Sequence, residues 1–379
     1  MIYVDHAATS PLSPAARAAM EPYLTGAFGN PSSTHAKGRE AEGALIDARE
    51  CLAASLGCSP HEVYFTSGGS EADNQALLTG AAAGAAAGRR HIVSTAIEHP
   101  AVLRYLEHLD SQGFTVTLLE PDGAGIVSEH QVAASITPDT CLVSVMAVNN
   151  EVGSIQPIQR IAAICHEQGV LFHTDAVQAV GKMPVDMSVW SVDLLTLSAH
   201  KFGGPKGIGA LIARRGIEPA RIVFGGRQER GCRAGTQNVA GAVGMTVACE
   251  ESCRALKNPA TLVRLHDMVD ALRSGLAAIP GAHLMSLPGA GIPQVVNACF
   301  EGINSETLLM LLGEQGVCAS AGSACEAGSL EPSHVLAAMG VDEELARGAL
   351  RISFGIENTV EEMQQVVEAV GVCVARLRR

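Results

Sequence analysis

Aromatic side chains are scarce in this 379-residue chain: they make up 3% of it, with 1 Trp. Its core must therefore be packed from Ala, Val, Leu and Ile, with 40 Gly shaping the turns. No run of about eighteen apolar residues occurs, so no membrane span is expected. None of the 11 Cys forms a C-x-x-C pair, and none of the 13 His stands in an H-E-x-x-H, which removes the commonest thiol-redox and zinc-hydrolase signatures. Cys249 and Cys253, one helical turn apart, read as a core-facing stripe and not as ligands. Positive charge is also short: 26 Lys and Arg stand against 39 Asp and Glu, a net −13. The only basic cluster is Arg376, Arg378 and Arg379, so no nucleic-acid partner is expected. Met1–His6 lacks the basic start, apolar run and small-residue cleavage site of a secretory signal. The expectation is a cytoplasmic protein with reduced thiols.

What the chain does have is apolar material, 47% of it, against 17% charged residues. That excludes intrinsic disorder and a small disulfide-stapled fold, and the length suits two domains. Candidate strands are Glu62–Thr66, His91–Thr95, Thr115–Leu119, Cys141–Val145, Val170–Thr174, Leu194–Leu197 and Ile208–Ile212. Helix-like stretches such as Glu71–Ala83, Pro100–Gln112 and Ile158–Gln168 separate them. Continuous Val/Ile/Leu strands between helices predict an α/β fold with a mainly parallel sheet covered on both faces. A long helical stretch, Asn238 to Ala278, breaks at Lys257-Asn258-Pro259. Beyond it the pattern changes: strands at His283–Leu287, Val295–Phe300 and Arg351–Ser353, helices at Ser305–Leu312, Glu343–Arg347 and Val360–Leu377. A second, smaller α+β domain is expected from about residue 260.

The chemistry concentrates in Val170–Gly207. Asp175 falls at the carboxyl end of one predicted strand, where open α/β sheets place their ligands, and Gln178 follows it. The strand Leu194–Leu197 runs into Ser198-Ala199-His200-Lys201. An Asp and a Lys over one sheet edge are what pyridoxal phosphate needs: an amine for a Schiff base and a carboxylate to keep the ring nitrogen protonated. Ser198 and His200 could donate to its phosphate. Taken alone, an ordinary ion pair is the commoner meaning of an Asp and a Lys.

Other segments bear on the choice. Thr66-Ser67-Gly68-Gly69-Ser70-Glu71 follows a strand and opens a helix, the setting of an anion site, although a Ser N-cap needs no ligand. His99 could stack on an aromatic cofactor or be an exposed loop residue. Asn149-Asn150-Glu151-Val152-Gly153 could orient a ring substituent or substrate, or merely form a turn. Ser320–Ser329 surrounds Cys325 with small residues, which suits a mobile nucleophile; the alternative is a tight turn with an incidental Cys. Arg351 could grip a substrate carboxylate through its guanidinium fork, or make a surface ion pair.

Ser198-Ala199-His200-Lys201-Phe202-Gly203-Gly204-Pro205-Lys206-Gly207 resembles the cofactor-lysine motif of the cysteine desulfurases, the NifS/IscS-like branch of the class V aminotransferases. So do Tyr3–Thr9 (YVDHAAT), Gly29–Ser33 (GNPSS), Asn149–Gly153 (NNEVG), Gly231–Thr236 (GCRAGT) and the Cys325 loop with Ser329–His334 (SLEPSH). The similarity runs from residue 2 to about 375. It implies fold type I of the pyridoxal phosphate enzymes, with a large domain over residues 12–259. A small domain would combine residues 1–11 and 260–379 and carry the catalytic loop, about 318–332. It also implies a homodimer with each active site at the subunit interface.

By the same resemblance, Lys201 is the Schiff-base lysine, Asp175 the ring-nitrogen partner, Gln178 the donor to the ring hydroxyl and His99 the stacking residue. Gly69, Ser70, Ser198 and His200 make the phosphate cup, joined by Thr236 from the other subunit. Asn150 and Arg351, with Asn30, hold the substrate carboxylate, and Cys325 accepts the sulfur. Ser70 stands where many relatives have Thr. Glu326 follows the nucleophile where Ser or Thr is common; its charge works against thiolate formation. The implied reaction takes L-cysteine to L-alanine with a persulfide on Cys325. Sulfur then passes to an acceptor protein such as an iron–sulfur scaffold or a thiolation relay. No resident metal is expected, while transient contact of Cys325 with an iron–sulfur cluster is compatible with transfer. Competing expectations are a selenocysteine lyase, another class V aminotransferase reaction, and a non-catalytic assembly protein on the same fold.

Overall fold

The computed structural model describes residues 1–322 and 332–378. Its first half builds β1 (Ile2–Tyr3), α1 (Pro14–Leu24), α2 (Ala36–Leu56), β2 (Val63–Thr66), α3 (Gly69–Ala86), β3 (His91–Thr95), α4 (Pro100–Ser111), β4 (Thr115–Leu119), α5 (Glu129–Ser135) and β5 (Thr140–Ser144). Next come α6 (Ile158–Glu167), β6 (Leu171–Asp175), α7 (Met187–Trp190), β7 (Leu194–Ser198), β8 (Gly209–Ala213), α8 (Val239–Leu256) and α9 (Pro259–Ala277). The remainder is β9 (Ala282–Leu284), β10 (Val295–Phe300), α10 (Ser305–Glu314), β11 (Val317–Cys318), α11 (His334–Ala338), α12 (Glu343–Ala346), β12 (Ala349–Ser353) and α13 (Val360–Leu377).

Strands β2 to β8 form one sheet in the order β2-β8-β7-β6-β5-β3-β4. Strands β3 to β7 run parallel, and β8 is antiparallel to both its neighbours. Side-chain alternation, with its period of two, splits the core across the sheet. Val63, Phe65, Leu195, Leu197, Ala210 and Ile212 face one hydrophobic cluster, which α2, α6 and α8 cover. Tyr64, Leu194 and Leu211 face the other way, against Ala72 and Ala76 of α3. Burial on both faces is why these strands read as continuous apolar runs. Cys249 lies in the first of these cores with Cys253 packed against it.

The second sheet has the order β12-β10-β9 and is antiparallel. Leu265, Met268 and Leu272 of α9, with Met363, Val366 and Val370 of α13, pack on it, and Val4 joins them from the chain's start. A further cluster, Ile97, Met146 and Val152 with Cys299, Val335 and Leu336, ties the loops after β3 and β5 to β10 and α11.

The expected strand positions hold to within a residue or so except at β12, which begins two residues earlier at Ala349, and at β9; the two-residue β1 and β11 were not expected. Strand β9 stops at Leu284, because the Ser286 hydroxyl accepts from Asn297 N (2.9 Å) and donates to Val152 O (2.7 Å) where a ladder would continue. Asp175 is the last residue of β6 and not the residue after it, since its Cα pairs in register with Thr196. Helices α1 and α2 carry no expectation from the sequence. Small residues dilute the buried stripe of α2, where Ala41, Ala44 and Ala48 alternate with Leu45 and Leu52.

Candidate active site

Strand ends β6 and β7 open onto a cavity of about 160 Å³. It gathers residues far apart in sequence: Gly69 and Ser70, His99, Asn150, Asp175 and Gln178, Ser198, His200 and Lys201, and Arg351. Ten of the positions singled out in the sequence thus share one wall. Asn30 and Thr236 are not among its lining residues. Asn30 is exposed and its Oδ1 accepts from Ser32 N (2.9 Å), while Thr236 lines a neighbouring pocket with Ser67 and Gly207. Cys325 lies outside the described residues.

Asp175 is buried, its Oδ1 accepting from Val177 N at 2.8 Å. Burial pushes its carboxyl up to about 6, against the lowering effects of that hydrogen bond and of Lys201. Such a carboxylate, lodged in a cavity wall, favours a cationic partner. Lys201 Nζ donates to the Ala7 and Ala8 carbonyls at 2.6 and 2.9 Å, so the N-terminal segment closes over the lysine. The one-turn 3-10 helix Ala199–Lys201 after β7 carries the amine to that place.

The anion end is built by α3. Gly68 gives that helix no side-chain cap, which leaves first-turn N–H groups at the cavity. A Cβ on Gly69 would meet Val177 Cγ2 at 2.9 Å, so a side chain there would crowd the cradle. Ser198 is buried beside it, and the His200 Nδ1 lies 3.2 Å from Thr9 Oγ1. Burial first, then Lys201, Lys206 and Lys182, hold His200 down to about 4. Lys206 lines the outer mouth with Ser67 and Gly207.

His99 is no exposed loop residue: it caps α4, its Nδ1 accepting from Ala101 N at 3.1 Å. Burial, helped by Lys201 and His334, lowers it to about 4. The neutral ring therefore carries its proton on Nε2. Arg351 makes no surface pair either. It is 1% exposed, donating to Asp5 Oδ1 (2.9 Å) and to Asn150 O (3.0 Å).

Four nearby residues escape a sequence reading. Asp5 neutralises Arg351 from 346 positions away. Asp73 lines the cavity floor fully buried, and burial together with Asp175 raises its carboxyl well above the usual range. Glu98 is buried behind His99, accepts from Thr95 Oγ1 and Met146 N, and is pushed up to about 8, chiefly by burial. Lys182 donates to Gln178 Oε1. Asp5, Glu98 and Lys182 lay in stretches singled out in the sequence, beside His6, His99 and Asp175–Gln178, but nothing there gave them a role; Asp73 lay in none.

These donors fit pyridoxal phosphate. A buried carboxylate with a raised pKa, an amine across the same cavity, a glycine cradle at a helix start and a neutral imidazole match its ring nitrogen, aldehyde, phosphate and aromatic face. Comparisons with known proteins agree. Residues 2–366 match the family model described as Aminotransferase class-V. The protein named Cysteine desulfurase IscS from Methanosarcina thermophila is 45% identical over 378 residues, covering 100% of this chain and 93% of that one. Among solved structures, a NifS-like protein superposes with a TM-score of 0.92 at 36% identity, covering 99% of both chains. A structure titled SspA in complex with cysteine gives 0.82 at 35% identity, covering 93% of this chain and 99% of that one. The chain belongs to the class V aminotransferases and, within them, to the NifS/IscS-like cysteine desulfurases, a pyridoxal phosphate-dependent family.

Proposed function

We propose that this chain removes sulfur from L-cysteine, releasing L-alanine and leaving a persulfide on Cys325. The reading rests above all on one cavity shared by Lys201, Asp175 and Arg351, the amine, acid and carboxylate grip that the reaction requires.

Pyridoxal phosphate bound there supplies an electron sink for the pair released at the substrate Cα. Gly69, Ser70, Ser198 and His200 would hold its phosphate, Asp175 its ring nitrogen, Gln178 its ring hydroxyl and His99 its face. Lys201 would anchor it, and its free amine would take the Cα proton of the bound substrate as general base. The guanidinium of Arg351 and the side chain of Asn150 hold the substrate carboxylate, which keeps Cα–H within reach of Lys201. His99, neutral with its proton on Nε2, is fitted to pass a proton and not to repel a cation. The Cys325 thiolate then forms a bond to the substrate sulfur as the sulfur–carbon bond breaks, and the carbon fragment keeps that electron pair.

The same reading makes residues 12–259 a large domain, and 1–11 with 260–379 a small one carrying Cys325. It makes the active unit a homodimer in the cytoplasm, with Thr236 reaching the phosphate cup of the other subunit and Asn30 joining the grip on the substrate carboxylate. Sulfur passes from Cys325 to an acceptor protein such as an iron–sulfur scaffold. Mass spectrometry after incubation with L-cysteine should find one added sulfur on Cys325. Cys325→Ala should keep the cofactor absorbance and lose sulfide release; full activity in that variant would refute the nucleophile assignment.

A further inference from the structure

Gln178 and Lys182 occupy the turns after β6, where Val180 N and Met183 N donate to Ala176 O and Ala179 O. The chain reverses at Gly181 between them, which brings the Lys182 side chain back to Gln178. Lys182 Nζ donates to Gln178 Oε1, and Gln178 Nε2 donates to Ala7 O at 2.8 Å. That same carbonyl receives Lys201 Nζ at 2.6 Å. A carbonyl oxygen only accepts, so the amide must turn its NH2 toward Ala7 and its oxygen toward Lys182. The two donors aimed at Ala7 O are thus the two side chains with roles at the cofactor's hydroxyl and aldehyde.

Lys182 is buried, and no carboxylate among the described residues forms an ion pair with it. Burial, Lys201 and Arg351 all press its amine well below its usual range. Lysines are almost never buried without a partner, and here the partner is an amide oxygen. Gly181 supports the geometry: its φ is +77°, and a Cβ there would meet Phe202 Cβ at 2.6 Å.

We propose that Lys182 is a positioning residue that fixes the amide of Gln178, so that Nε2 is presented to the cavity. When a ligand oxygen replaces the Ala7 carbonyl as acceptor, only Lys182 still tells the amide which way to face. Without it, either orientation is open, and one of them turns a carbonyl oxygen toward the ligand's own oxygen. The inference rests on the reading that Gln178 contacts the cofactor.

The test is a double-mutant cycle in cofactor affinity, measured by titrating pyridoxal phosphate into apoprotein. Gln178→Leu tests the reading itself: it should bind the cofactor about tenfold more weakly, the loss of one hydrogen bond to a charged or strongly polar group. Lys182→Met should produce a similar loss and move the bound cofactor's absorbance maximum in the same direction as Gln178→Leu. Added to Gln178→Leu, Lys182→Met should cause no further loss. Lys182→Gln gives the same comparison if the Met variant does not fold, with apoprotein melting as the control. An unchanged affinity and absorbance for Lys182→Met beside a weakened Gln178→Leu would overturn the proposal alone. So would an equal loss with and without Gln178→Leu. An unchanged Gln178→Leu would instead overturn the reading beneath it.

Discussion

Two sheets feed one cavity by different means. The seven-stranded sheet delivers Asp175 and Ser198 as the last residues of β6 and β7, and Lys201 one short turn later. Ladder hydrogen bonds fix these strand ends, so the groups inherit their positions from packed backbone. The three-stranded sheet delivers Arg351 from the middle of β12, and nothing about a strand end directs it. Its guanidinium is held instead by Asn150 O and Asp5, 201 and 346 positions away in sequence. Parallel sheets make sites locally, at their carboxyl edge. The antiparallel sheet makes its contribution only after the chain's beginning has folded back onto it: Ser353 N donates to Val4 O and His6 N to Ser353 O.

Removing the central-sheet contribution should have the largest effect. Lys201→Ala should abolish both the Schiff-base absorbance and all turnover, as read by visible spectroscopy and a sulfide assay. Arg351→Met should act differently. The cofactor should still bind, while KM for L-cysteine rises about a hundredfold, the upper range for a charge-assisted hydrogen bond. That variant also leaves Asp5 beside an apolar side chain, which should cost about 2 kcal/mol of stability. Adding Asp5→Asn should recover most of the stability and none of the KM. If the double variant regained substrate affinity, Arg351 would be a structural residue and the contrast between the sheets would collapse.

The same contrast governs what could be read in advance. The α/β class, most strand positions and the Asp175–Lys201 pairing follow from local runs of Val, Leu and Ile and from where polar residues interrupt them. Asp5, Asp73 and Lys182 did not follow, because each matters through a contact that only the tertiary fold creates. Asp73 sits in the second turn of α3 among Ala72 and Ala76. In sequence it is an ordinary helix residue, and its burial beside Asp175 depends on α3 packing against the sheet. His99 and Arg351 were open between an exposed role and a site role. Burial decides both for the cavity, and burial is a property of the whole fold.

A smaller effect should separate the anion end of the cavity from its ring end. Gly69→Ala forces a methyl group against Val177 Cγ2 at 2.9 Å, a contact that must be relieved by moving α3 or rotating Val177. Because a flexible side chain can give way, the cost is modest: cofactor affinity should fall about tenfold, with the absorbance maximum of the bound cofactor unchanged. A shifted absorbance at full affinity would mean that Gly69 borders the ring and not the phosphate, contradicting the arrangement drawn from α3.

The gentlest test concerns stability without cofactor. The folded-state pKa of Asp175 is raised from 3.8 to about 6, chiefly by burial. A raised carboxyl favours folding only while it is protonated; its contribution is full below the unfolded value of 3.8 and is lost as pH rises through about 6. Above that range the apoprotein carries the cost of a buried charge. Asp175→Asn, which keeps the shape and removes the charge, should therefore melt a few degrees higher than the parent apoprotein at neutral pH, about 1 °C for each kcal/mol relieved in a chain of this size. The gap should close as pH falls below about 4, while turnover is lost at every pH. A carboxylate kept at a strand end against its own solvation is stability given up for a function. If the parent apoprotein proved the more stable at neutral pH, Asp175 would be paired inside the protein and would not be awaiting a cation from outside it.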